Sequence, residues 1–242
     1  MWSMLTVLAE GGIGASDCER LRDAALAQPV NAITSLAYTV LGVAIGVMTA
    51  RSPSDQRSRW FVFSACLIAV GLGSVLFHGP QPAGSRFAHD VPIAYAIVLM
   101  LLVDVELVRK RPLPVIGIWA GASAALSALA IAVPDATAAL TAVGVLGVVG
   151  LEVVIARRRL RTPGTRQLRL GIAAIVVAAL AATSYLLGRT GSVTCDPDAT
   201  FQFHGLWHLL SAAIFGLWWQ MASEPTSTTR VSASAHTAPG AS

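Results

Sequence analysis

Four of the five histidines in this chain stand in two short polar groups. One is Ser74-x3-His78 followed by His89-Asp90; the other is His204-x3-His208. Residues four apart share a helix face, so His204 and His208 can grip one metal ion together. A third histidine from a facing helix completes a three-histidine site with a position left for water, the arrangement typical of catalytic zinc. Zinc lowers the pKa of its water toward about 7 and so makes it a nucleophile. Asp90 would take a proton from that water or orient it. Ser74, one turn from His78 on the same face, would donate to a developing oxyanion. His89 is adjacent to Asp90 and on a helix points away from it, which makes it a residue behind the ligands or at the interface. Bis-histidine haem is disfavoured, because its two axial ligands approach from opposite faces and His204 and His208 share one.

The elements that must hold these residues are apolar. Hydrophobic residues make up 55% of the 242 and charged ones only 12%, about half the usual share of roughly 25%. Mean hydropathy is +0.66. Stretches of about 20 apolar residues, enough to cross ~30 Å of hydrocarbon, recur at 31–50, 60–78, 88–108, 113–133, 136–156, 168–187 and 203–222. This predicts an all-α integral membrane bundle of seven transmembrane helices. Pro134-Asp135 splits the fourth and fifth as a tight hairpin.

Arg51, Arg57 and Arg59 follow the first span, Arg109 to Arg111 flank Lys110 after the third, and five arginines from Arg157 to Arg166 follow the fifth. The alternate loops carry Asp17, Glu19, Asp135, Asp196 and Asp198, with Arg86 and Arg189 as exceptions. By the positive-inside rule the N-terminus lies outside and the C-terminus in the cytoplasm. Orientation in a bilayer, rather than nucleic acid, accounts for the net charge of +4. Residues 1–30 form an extracytoplasmic segment with a short helix expected to end at Pro29, and 31–223 form the membrane domain. Residues 224–242, rich in Ser, Thr, Ala and Gly, read as a disordered cytoplasmic tail. Span two ends where spans three and seven begin, so connectivity alone brings both polar groups to one end of the bundle. Polar residues at membrane depth are costly and mark functional sites.

These residues resemble the alkaline ceramidase family, within a wider superfamily of seven-helix membrane hydrolases that includes the adiponectin and progestin receptors. The resemblance rests on Ser74-x3-His78, Asp90, His204-Gly-Leu-Trp-His208, the N-terminal Asp17-Cys18-Glu19 and Asn31-x2-Thr34-Ser35, and it spans about residues 17 to 222. It implies that His78, His204 and His208 bind zinc, with Ser74 and Asp90 assisting hydrolysis of the amide of ceramide or another N-acyl lipid. Asp17 and Glu19 correspond to acids that bind calcium in the animal enzymes, although Gln28 stands where a later acid is expected. Cys18 and Cys195 both fall on the predicted outer side, where disulfides persist, and the resemblance supports their pairing. The expected partners are the lipid substrate and the bilayer, with no obligate protein partner. The expected location is a bacterial inner membrane with the site toward the extracytoplasmic side. A non-enzymatic receptor with a structural zinc is the alternative; the presence of both Asp90 and Ser74 favours chemistry.

Overall fold

A computed structural model describes residues 13–51, 56–159 and 165–223. The first dozen residues and the tail at 224–242 lie outside the described residues. The described chain is all-α, with helices α1 (Pro29–Arg51), α2 (Arg57–His78), α3 (Ser85–Arg109), α4 (Val115–Ala132), α5 (Ala136–Arg159), α6 (Thr165–Leu187) and α7 (Phe203–Ser223). All but α7 are long and apolar enough to cross a membrane, which makes the chain an integral multi-pass membrane protein. In α7 the apolar character is diluted by His204, His208 and Gln220. The helix bounds follow the apolar stretches to within a few residues, and the hairpin turns at Pro134-Asp135 as expected.

The helix expected ahead of Pro29 is absent among the described residues. Residues 13–28 run as turns and bends, and Pro29 opens α1 instead of closing an earlier helix. Proline suits a first helical position because its missing N–H would be unpaired there anyway. The carboxylate of Glu19 satisfies the next donors, accepting from Val30 N–H and Asn31 N–H at 2.8 Å each.

Helix α1 packs on α2, α2 on α3, α3 on both α4 and α5, and α7 between α1 and α6. In lipid, helices associate through close contact of small residues. Gly73 of α2 shows why: a Cβ there would lie 1.8 Å from the Ala88 carbonyl oxygen of α3. That carbonyl has no helical donor, because Pro92 four residues on lacks an N–H. The contact fixes the first turns of α3 against α2 beside Ser74. Lower in the bundle, Phe63 and Trp218 pack with ring centroids 5.0 Å apart, flanked by Trp60 and Phe215. Such aromatic pairs contribute about 0.5–1.5 kcal/mol beyond area burial.

Two acids at the far end from the histidines have partners. Arg59 holds Glu106 at 3.3 Å, and Trp218 Nε1–H donates to Asp104 at 3.0 Å. Between α5 and α6 lies an apolar cavity of about 470 Å³, lined by Val148, Val149, Gly171, Ile175 and Trp218, with Glu152 among its few polar groups.

Candidate metal centre

Helix α2 ends on His78, while α7 begins one residue before His204 and places His208 one turn further. The two helix ends meet, and all three imidazoles are buried. Ring centroids are 4.7 Å apart for His204–His208, 5.1 Å for His78–His208 and 5.3 Å for His78–His204. One nitrogen from each ring lies within 4.8 Å of the others, and among the described residues this is the one group of three or more ligating side chains able to hold a metal ion.

The neighbours settle which nitrogen His78 and His208 offer. Gln28 Nε2 donates to the carbonyls of Gly14 (3.0 Å) and Glu19 (2.8 Å), so its Oε1 is the atom facing His78 Nδ1 at 2.7 Å. His78 therefore carries its proton on Nδ1, and its Nε2 is buried with no hydrogen-bond partner. His208 Nδ1 lies 3.1 Å from Thr34 Oγ1 and 3.2 Å from Ser35 Oγ. Those hydroxyls already donate to the carbonyls of Val30 and Asn31 at 2.7 Å. They must accept from His208 Nδ1–H, which leaves the Nε2 lone pair of His208 for another partner. His204 Nδ1 sits 3.4 Å from Asp17 Oδ1. Burial pushes the Asp17 carboxyl up to about 6, against the opposing pull of Arg189, whose Nη1 donates to the same oxygen at 2.8 Å.

His78 thus has its Nδ1 occupied and a buried, unpartnered Nε2, and His204 has a buried Nδ1 with no hydrogen-bond partner; unpaired nitrogens of neutral imidazoles are donors that zinc prefers. The residues present thus fit the ion that the resemblance implies.

Ser74 is buried one turn below His78. Thr34, Ser35, Ser127 and Ser211 return their hydroxyls to carbonyls three or four residues back; among the described residues Ser74 makes no such bond. Asp90 has partners of its own. Its Oδ1 accepts from His89 Nδ1 at 2.6 Å, and its Oδ2 lies 3.6 Å from Arg86 Nε. The expectation that His89 points away from Asp90 is therefore corrected: the flexible imidazole folds back along the helix. His89 also stacks on Phe77 at 4.4 Å and lies 5.9 Å from the His78 ring, so it links Asp90 to the histidine group. Asp17 and Glu19, the possible calcium ligands, join no group of three ligands among the described residues. Glu19 caps α1 with both oxygens, and Asp17 faces Arg189 and His204.

The disulfide Cys18–Cys195 is formed, with Cα atoms 5.5 Å apart. It ties residues 13–28, the strap over this end of the bundle, to the loop before α7. Gly188 abuts the start of α7, where a Cβ would meet His204 N at 2.5 Å. The roles of Gln28, Thr34, Ser35 and Asp17 around the rings were not read from sequence; their one signal was the cluster of polar residues at the mouth of an apolar helix.

A ceramidase family profile matches residues 22–233. Comparison with curated proteins gives no match. The profile covers most of the chain, including every helix and all three buried histidines, and the chain belongs to the ceramidase family.

Proposed function

We propose that this chain is a zinc-dependent membrane amidohydrolase. It would cleave the amide of ceramide or a related N-acyl lipid to a fatty acid and an amine-bearing lipid base. The observation that carries the reading is the buried His78–His204–His208 group in a chain of this family. When bound, zinc supplies Lewis acidity, polarising the amide carbonyl and making a water acidic enough to attack near neutral pH. Ser74, with no backbone bond to hold its hydroxyl, donates to the carbonyl oxygen as negative charge develops there. Asp90, joined through its Oδ1 to His89, takes up the proton that the water loses and returns it to the leaving amine nitrogen.

Supporting the lipid substrate is the apolar cavity between α5 and α6. Its upper end at Ile214 lies six residues below His208 on α7, about 9 Å at the helical rise. In this reading the acyl chain of an amide held at the histidines runs toward that cavity. With α7 also crossing the membrane, the positive-inside pattern puts the histidine end outside and the C-terminus in the cytoplasm, at a bacterial plasma membrane.

The test combines metal analysis of the purified protein with hydrolysis of labelled ceramides. Wild type should carry one zinc per chain and release fatty acid. His204→Ala should lose both properties. A folded wild type that takes up no zinc, or a zinc-loaded one inert toward every N-acyl lipid offered, would overturn the proposal.

A further inference from the structure

The strap formed by residues 13–28 engages His78 on its Nδ1 side and passes close to His204. Gln28 is fully buried and its amide is saturated: Nε2 serves two strap carbonyls and Oε1 serves His78 Nδ1. Its backbone N–H also donates to the His78 carbonyl at 2.7 Å, so strap and helix end are joined twice at this point. Asp17 is buried and accepts from Arg189; its Oδ1 lies 3.4 Å from His204 Nδ1 without a hydrogen bond to it. The peptide that connects these contacts is fixed at several places: the Cys18–Cys195 disulfide, Cys18 N–H to the Gly188 carbonyl at 2.8 Å, and Thr190 N–H to the Ser16 carbonyl at 3.0 Å. The third ring is treated differently, since Thr34 and Ser35 of α1 hold His208.

An imidazole at a helix end can still rotate about its ring torsion. A fixed acceptor on Nδ1 removes that freedom, selects the tautomer and raises the basicity of Nε2. We propose that the disulfide-pinned N-terminal strap is the outer shell of the metal centre, with Gln28 as the positioning residue that aims His78 at the zinc ion it shares with His204 and His208. This rests on the metal-centre reading above. It makes the strap part of the site rather than a cover over it. It also makes the disulfide a determinant of metal affinity, although neither sulfur touches a histidine.

The experiment measures zinc affinity of the full-length protein in detergent by chelator competition, with the visible spectrum of the Co2+-substituted protein as a report on ligand geometry. Gln28→Leu keeps the bulk and deletes the acceptor; it should weaken zinc about 10–100-fold, the usual effect of losing such a partner, and shift the Co2+ bands. Gln28→Glu restores an acceptor to His78 and should hold zinc at least tenfold more tightly than Gln28→Leu. A purely structural role predicts the opposite order, because a carboxylate there faces the Gly14 and Glu19 carbonyls without donors for them. Gln28→Asn shortens the arm so that the amide oxygen no longer reaches His78; it should weaken zinc about tenfold, and it carries the test if Gln28→Leu does not fold. The double variant Cys18→Ser/Cys195→Ser should release zinc faster to chelator. Should wild type bind zinc while Gln28→Leu and Gln28→Asn bind it within twofold as tightly, the strap proposal fails and the hydrolase reading stands. Wild type that binds zinc with this dependence yet hydrolyses no lipid leaves the strap proposal standing and removes the hydrolase reading. Wild type that binds no zinc overturns both.

Discussion

His78 and His208 reach the same tautomer by different routes, one through a glutamine amide and one through two hydroxyls whose protons are already committed to helix carbonyls. That difference allows them to be tested separately. Replacing Thr34 by Val and Ser35 by Ala together should deprive His208 Nδ1–H of both hydroxyl acceptors, weaken zinc binding, and lower stability by about 1–3 kcal/mol for a poorly satisfied buried donor; metal titration and thermal melting read the two effects. Ser74→Ala should behave otherwise: zinc retained, kcat down about 10²–10³-fold as for loss of an oxyanion donor. A Ser74→Ala enzyme with unchanged kcat would remove Ser74 from the mechanism. The histidines were legible from type and spacing, because i, i+4 pairs share a face whatever the surroundings. Gln28 was not, since its partner His78 is fifty positions away and only the folded strap brings them together.

Helices aim these residues through close backbone contacts that tolerate little added volume. Gly188→Ala should place a methyl against the backbone of His204 and cost about 1–3 kcal/mol as overpacking, with zinc lost in parallel. Gly121→Ala, where a Cβ meets nothing within 4 Å, should change neither melting nor metal content. The cavity between α5 and α6 gives a second prediction. Gly171→Phe would fill it from the α6 side, so hydrolysis of long-chain N-acyl lipids should fall more than that of short-chain ones; an equal loss for both would mean that the acyl chain lies elsewhere. The spans themselves were readable, because a run of about 20 apolar residues has few other uses. The gap between α5 and α6 was not, since which apolar faces pack on each other is settled by side-chain shape rather than by hydropathy.

Across the whole molecule, charge and chemistry are sorted to opposite ends. Arg86 and Arg189 broke the pattern of basic loops in the sequence. Each meets acid at the histidine end: Arg86 pairs with Asp135 at 2.7 Å and Arg189 with Asp17 at 2.8 Å. Their charges are locally offset, so they weigh little against the arginines of the opposite end, and the proposed orientation keeps its basis. In a Cys66→Ser background, Val193→Cys, which is 99% exposed, should label with a membrane-impermeant thiol reagent applied from outside. Lys110→Cys at the other end should label only after the membrane is opened; the reverse result would invert the topology while leaving the site intact. The central claim concerns the ion. Its most direct test is fatty-acid release from an N-acyl lipid by purified protein stripped with chelator and then given one equivalent of zinc. The account predicts that stripping abolishes release, that zinc restores it in wild type, and that His208→Ala recovers nothing. Undiminished hydrolysis by verified zinc-free protein would contradict it.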